Sequence, residues 1–210
     1  MSSLSDKAYE TLKEVVIEAE EGTFFSVRKS AGELGLSYTP VREALLKLHS
    51  EGLLDLVPNV GFFVARMDMR TIVNIYQSRE CVEKYVLPMV VDKITGKDLE
   101  VLHGLIQKQK DAMKESNISL YTEMDAEFHC YIIDLLHNKQ LSEFYKSVRG
   151  QYRVGSKKII QSHSGTPIHE HEEFLNLVKQ KKFQEALDCY YEHGAAAVER
   201  MKEGYVRIGL

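Results

Sequence analysis

Residues 35–64 open with Gly35-Leu36-Ser37-Tyr38-Thr39-Pro40-Val41-Arg42-Glu43-Ala44-Leu45 and close with Pro58-Asn59-Val60-Gly61-Phe62-Phe63-Val64, and this stretch decides the fold. Ser37 or Thr39 can cap a helix whose first turn holds Pro40, where a missing N–H costs nothing. Val41, Ala44, Leu45 and Leu48 then recur at helical spacing, leaving Arg42, Glu43 and Lys47 outside until Gly52 stops the helix. Residues 53–57 and 62–65 read as two short strands around a four-residue loop containing Pro58 and Gly61. A short turn, a helix and a hairpin in that order predict a winged helix-turn-helix, which lays one helix in the DNA major groove.

Upstream, residues 4–20 place Leu4, Ala8, Leu12, Val15, Val16 and Ala19 along one stripe of a first helix. A second helix fits residues 27–34, with Gly35 ending it at a position suited to a left-handed cap. Downstream of residue 68 the pattern is helical throughout: 69–91, 99–114 with Thr95 and Asp98 as a start signal, 119–136, 139–162, 167–179 and 183–203. The expected fold is mainly α, a winged helix-turn-helix over 1–67 followed by an all-helical bundle over 68–210.

The chain has 210 residues, 44% of them hydrophobic, enough for proper cores. No apolar run reaches membrane-span length and the start lacks the layout of a secretory signal, so no membrane partner is expected. Cys81, Cys130 and Cys189 form no CxxC pair and suit a reducing compartment, the cytoplasm. The net charge is -4, and residues 1–66 hold seven Lys/Arg against ten Asp/Glu, which runs against the usual basic bias of a DNA-binding domain. Much of that acid (Glu10, Glu14, Glu18, Glu20, Glu21) sits in the first helix, which can face away from the duplex. DNA contact would then rest on a local basic patch, with steep salt sensitivity.

The run Gly35–Leu45 together with Glu51-Gly52-Leu53-Leu54 and the wing Pro58-Asn59-Val60-Gly61 resembles the GntR superfamily of bacterial regulators, and the helical remainder resembles its FadR-type subfamily with an FCD effector domain. The resemblance covers nearly the whole chain. It implies a ligand-responsive transcription regulator that binds operator DNA as a homodimer. It also implies that Arg28 and Arg42 contact phosphates or guanine edges, that Ser37 and Thr39 give hydroxyl contacts near the helix N-terminus, and that Asn59 sits at the wing tip. Surface ion pairs of Arg42 with Glu43 or Arg28 with Glu33 are the alternative. This chain departs from the family at Tyr38, where Arg is frequent, and at Val60, where a basic residue is common. Tyr38 can stack on a sugar or cover the core edge.

Asp125 and His129 stand four apart, so a helix places both on one face with Phe128, Tyr131, Ile132 and Leu135 alongside. His171 opens a later helix and His193 lies in the last. Three neutral imidazoles and one carboxylate converging in a bundle can hold a divalent metal with positions left open. Spacing alone leaves open a hydrogen-bonded structural pair instead. In the FCD family one Asp and three His form the usual metal set, and the resemblance implies that role for Asp125, His129, His171 and His193. Zinc is the first candidate; nickel and manganese suit the same donors. His169 would point half a turn away from His171, and His49, His103, His137 and His163 read as surface or helix-end residues.

Arg79 matches an arginine the family often turns toward its effector pocket. Beside a metal it would clamp a small carboxylate; an ion pair with Glu83, four residues on, is the alternative. Asn138, Arg149 and Arg153 are further candidates for that cavity. The competing function class is a metal-dependent hydrolase or hydratase using the Asp/His set to activate water. That class leaves the winged segment unexplained, and a regulator whose metal is purely structural is a third possibility.

Overall fold

The computed structural model describes residues 3–162 and 167–207; the expectation for His163 falls outside them. The chain divides into two compact units, Met1–Met67 with Gly150–Gly155, and Asp68–Arg149 with Ser156–Leu210.

The first unit opens with helix α1 (Leu4–Glu18), started by a reciprocal capping box in which Ser3 and Asp6 each bond the other's backbone N–H. Its buried stripe is Ala8, Tyr9, Leu12, Val16 and Ile17. That corrects the expected stripe, because Leu4 and Val15 are exposed and Ala19 is already extended beyond the helix. Strand β1 (Phe24–Phe25), helix α2 (Val27–Leu34) and helix α3 (Tyr38–Ser50) follow. Gly35 ends α2 at φ 63°, a left-handed cap that glycine adopts freely. Strands β2 (Leu54–Val57) and β3 (Gly61–Val64) form the hairpin.

The sheet has three strands in the order β1-β3-β2, with Phe24 opposite Phe63 and Leu56 opposite Phe62. Two residues give no periodicity to read, so the sequence pattern missed β1. The hairpin loop is residues 58–60, one shorter than expected, with Asn59 at φ 62°. Asparagine tolerates that left-handed conformation better than most residues. Val41, Ala44, Leu45 and Leu48 of α3 bury against α1 and the hairpin around Leu53, Leu54, Phe62 and Val64. Tyr9 fastens α1 to the end of α3: its hydroxyl is 2.8 Å from both Glu51 carboxylate oxygens, Lys13 donates to it at 2.9 Å, and the Lys47 ammonium lies 3.6 Å from its ring centre.

The second unit is helical: α4 (Met69–Val90), a single 3₁₀ turn at Val91–Lys93, α5 (Gly96–Lys114), α6 (Ile118–Asp134), α7 (Lys139–Ser162), α8 (Ile168–Lys179) and α9 (Phe183–Arg207). Thr95 and Asp98 form a second reciprocal capping box at the start of α5. α4 packs on α9, α5 on α6 and α8, and α8 on α9. Every one of these helices sends at least one polar or charged side chain into the interior, and those of α4, α6, α7, α8 and α9 make the site below.

Gly61 tests the wing. A Cβ there would lie 2.5 Å from the Phe24 ring and 2.9 Å from the Phe25 carbonyl oxygen, on a backbone at φ +151°. Gly61→Ala is expected to lower stability by roughly 1–3 kcal/mol. Gly32, inside α2 with nothing within 4 Å of its Cβ position, is the control. Gly32→Ala is expected to be neutral or up to ~1 kcal/mol stabilising. Thermal unfolding of the full chain followed by circular dichroism separates the two.

Candidate functional site

One candidate surface lies on the first unit. Ser37 is the N-cap residue of α3 yet makes no side-chain capping bond, whereas Ser26 caps α2 through Lys29 N–H at 3.1 Å. The start of α3 therefore keeps a free hydroxyl and first-turn amides that a phosphate oxygen would satisfy. Arg28, in the first turn of α2, and Arg42, in α3, are exposed, and among the described residues neither is in an ion pair. The acid that could have taken Arg28, Glu33, sits 3.8 Å from Lys29 instead. Tyr38, Thr39 and Asn59 are exposed as well, Tyr38 as the first residue of α3 and Asn59 in the wing turn. The wing itself carries no Lys or Arg from residue 53 to 64 and exposes Leu56, Val57 and Val60.

A second candidate site is buried in the helical unit. Asp125 and His129 stand one turn apart on α6, His171 sits in the first turn of α8, and His193 lies on α9. One ring nitrogen from each of the three histidines falls within 4.8 Å of the others. His171 Nε2 and His193 Nε2 are 3.4 Å apart, and Asp125 Oδ1 is 3.7 Å from both His129 Nε2 and His171 Nε2. Phe128 stacks on the His171 ring at 4.4 Å, closing one wall. The structure thus brings all four residues of the set together.

Two of the three outward nitrogens are held. His193 Nδ1 is 2.7 Å from Glu170 Oε2. An ionised carboxylate only accepts, so Nδ1 carries the proton and Nε2 turns a lone pair toward the cluster. Arg200 grips the same carboxylate with two bonds, at 2.8 and 2.9 Å. His129 Nδ1 bonds the Tyr190 hydroxyl, while His129 Nε2 and His171 Nδ1 are buried with no partner. A buried nitrogen without a partner costs about 1–3 kcal/mol, and a cation among the three Nε2 atoms would satisfy His129. The residues fit a divalent metal: three nitrogens, one carboxylate oxygen, and carboxylate or phenol support behind two of the rings.

Electrostatics favour the ligating protonation states. Burial pushes His171 down to about 3, with the neighbouring His193 adding to the shift, and burial with nearby Arg149 takes His129 well below its ordinary value. Both imidazoles are neutral, as a metal requires. Burial opposes ionisation of Asp125, but Arg149, bonded to its Oδ2, holds the carboxyl below its usual range. For Glu170 the bonds from His193 and Arg200 outweigh burial and bring it to about 2.

Arg79 and Arg149, both expected near the cavity, are buried, Arg149 on Asp125 and Arg79 with its Nε 3.3 Å from Glu83 Oε1. Tyr145 donates to the same Glu83 oxygen, and Arg79 Nη2 has no hydrogen-bond partner. Asn138 does not join them: it is exposed, and its side-chain oxygen accepts from Leu141 N–H at 3.2 Å at the start of α7. Arg153 falls in the segment grouped with the first unit. His169, His49, His103 and His137 are exposed. Sequence reasoning missed Glu170, Tyr190, Arg200 and Tyr145. Only Tyr190, three residues before His193 on one helix, left a signal in spacing.

The chain matches the family "Bacterial regulatory proteins, gntR family" over residues 4–64 and the FCD domain over residues 74–196. The Nta operon transcriptional regulator of Aminobacter aminovorans is 29% identical over 123 residues, 59% of this chain and 58% of that relative. The HTH-type transcriptional regulator McbR of Escherichia coli is 26% identical over 157 residues, 75% of this chain and 71% of its own. The solved structure of McbR superposes with a TM-score of 0.84 at 23% identity, covering 98% of this chain and all of that one. These relatives are transcription regulators, not enzymes. With a gntR-type reading head matched over its first part and an FCD domain over more than half its length, the chain belongs to the gntR family of bacterial regulators, in the group that carries an FCD domain.

Proposed function

We propose that this chain is a ligand-responsive transcription regulator of the cytoplasm, residues 1–67 binding operator DNA and residues 68–210 binding an effector and joining two copies into a homodimer. The observation that carries the reading is two exposed arginines, Arg28 and Arg42, in no ion pair among the described residues, together with the uncapped start of α3. Arginine forks donate two bonds at once to a phosphate or to guanine O6 and N7, and Ser37 and Thr39 add hydroxyls at the same end. Two-fold symmetry would present two such helices to a pseudo-palindromic site.

Asp125, His129, His171 and His193 would hold a divalent metal, zinc first among candidates, with nickel and manganese compatible with the same donors. When bound, the ion supplies an electrophilic centre for one oxygen of a small carboxylate. Arg79, with its unsatisfied Nη2, and Arg149 stand as the cationic groups for the rest of that acid. The acid would act by binding one arrangement of the protein better than another, since only differential affinity shifts operator binding. Among the described residues no helix is long and apolar enough to cross a membrane.

Arg42→Ala is expected to weaken specific DNA binding by about 1–3 kcal/mol, roughly 5- to 150-fold, in a fluorescence-anisotropy titration. Chelator is expected to leave wild-type DNA binding intact and abolish the response to carboxylates. A wild-type chain that retards no duplex selectively would sink the regulator reading, and metal-dependent turnover in its place would favour a hydrolase.

Glu170→Gln is expected to weaken zinc binding by roughly 10–100-fold in a competition with a chromogenic chelator, because it loosens His193 without touching a donor. His171→Ala should remove binding outright. Unchanged zinc affinity in Glu170→Gln would show that the Glu170–His193 bond does not orient a ligand.

A further inference from the structure

Tyr38 and the wing are the parts of the reading surface that the arginines leave unexplained. Tyr38 is the first residue of α3 and is 56% exposed, with no hydrogen bond or ring contact among the described residues. The N-terminal residues of a recognition helix are the ones that meet base edges. Arg42 lies four residues on, so the two side chains stand one above the other on the same exposed face. A phenol cannot make the double donation to guanine that an arginine fork makes. Most of its surface is apolar carbon, and the one apolar feature on a base edge in the major groove is the C5-methyl of thymine. The wing continues the same chemistry: Leu56, Val57 and Val60 are exposed, Val60 by 58%, and the charge it carries is the negative one of Asp55.

We propose that Tyr38 determines operator specificity by packing its ring on a thymine methyl next to the base pair or phosphate met by Arg42, and that the wing lies against the DNA through apolar contact without neutralising phosphates. The inference rests on the DNA-reading function proposed above and names the base it selects. Its physical consequence is a division of labour. Tyr38 sets which sequence is bound, while the wing, which carries no Lys or Arg, makes the salt dependence less steep than a basic wing would.

The test is selection of binding sites from a random duplex library by the full-length chain, run in parallel for wild type, Tyr38→Ala, Tyr38→Phe and Val60→Lys. Wild type and Tyr38→Phe are expected to require thymine at one position of the motif, and Tyr38→Ala to lose that requirement while still selecting the rest. Replacing that thymine by deoxyuracil, which removes only the methyl, should weaken wild-type binding about three- to fivefold and leave Tyr38→Ala unaffected. Val60→Lys should strengthen binding to all duplexes alike and steepen the salt dependence by about one ion without altering the motif. The proposal is overturned if Tyr38→Ala selects the same thymine, if deoxyuracil is bound as well as thymine, or if Tyr38→Phe behaves like Tyr38→Ala. A wild-type chain that enriches no motif overturns the DNA-reading function itself, a result distinct from these three.

Discussion

Burying ionisable groups in an apolar bundle is the constraint that organises the helical unit. Arg79, Glu83, Asp125, Arg149 and three histidines are all nearly inaccessible to water. An isolated charge in such a place would cost far more than a domain's whole margin of stability, so each must be paired or neutral. Asp125 is ionised because Arg149 holds it, and Glu83 takes both Arg79 and the Tyr145 hydroxyl. His129 and His171 meet the same demand by staying neutral. Paired charges of this kind add little net stability over apolar packing, and losing one partner is strongly destabilising. An interior built this way fits the ligand binding proposed above, since stability alone would be served as well by leucine.

The local geometry follows from where the donors sit. Asp125 and His129 belong to one helix and are fixed by a single helical turn, whereas His171 and His193 come from two others. Three helices therefore converge on one point, and the groups behind the rings decide how firmly. His193 is backed by Glu170 and through it by Arg200, a chain that crosses from α8 to α9 and joins helices already packed on each other. His171 has no such backing at Nδ1 and is positioned by the Phe128 ring instead. The ring contact sets its plane and leaves its tautomer open, so His171 is the donor most sensitive to what occupies the centre.

Much of this was legible in the chain. Local signals marked some helix ends well: Gly35, and Thr95 with Asp98, act as the spacing predicts, whereas the Ser3–Asp6 box at the start of α1 went unread. The regular 3.6-residue pattern placed every helix of the second unit, and the strand-loop-strand run placed the wing. What failed needed tertiary information. The stripe of α1 was misjudged because Leu4 and Val15 are apolar but lie outside, and Tyr9 is inside through a polar clamp that no hydropathy pattern records. β1 is two residues long. At the site, the ligand-type residues were visible as types at spacings, while Glu170, Arg200 and Tyr145 were not. Their roles depend on elements that meet only after folding. Asn138 shows the converse: a polar residue near the right sequence that spends its side chain capping a helix.

The two units answer the same problem with opposite chemistry. On the proposed reading surface Arg28 and Arg42 are exposed and in no ion pair among the described residues, where a phosphate would claim them. Arg28 illustrates it, since Glu33 is engaged by Lys29 on the helix face. The buried centre likewise leaves His129 Nε2 without a hydrogen bond, where the proposed cation would bind. In each place a local cost is tolerated: solvated, uncompensated positive charge on one side, and buried nitrogens without hydrogen bonds on the other. A chain selected for stability alone would remove both costs with a salt bridge and a leucine. Their coexistence in one chain supports the two binding functions proposed above, one at each place.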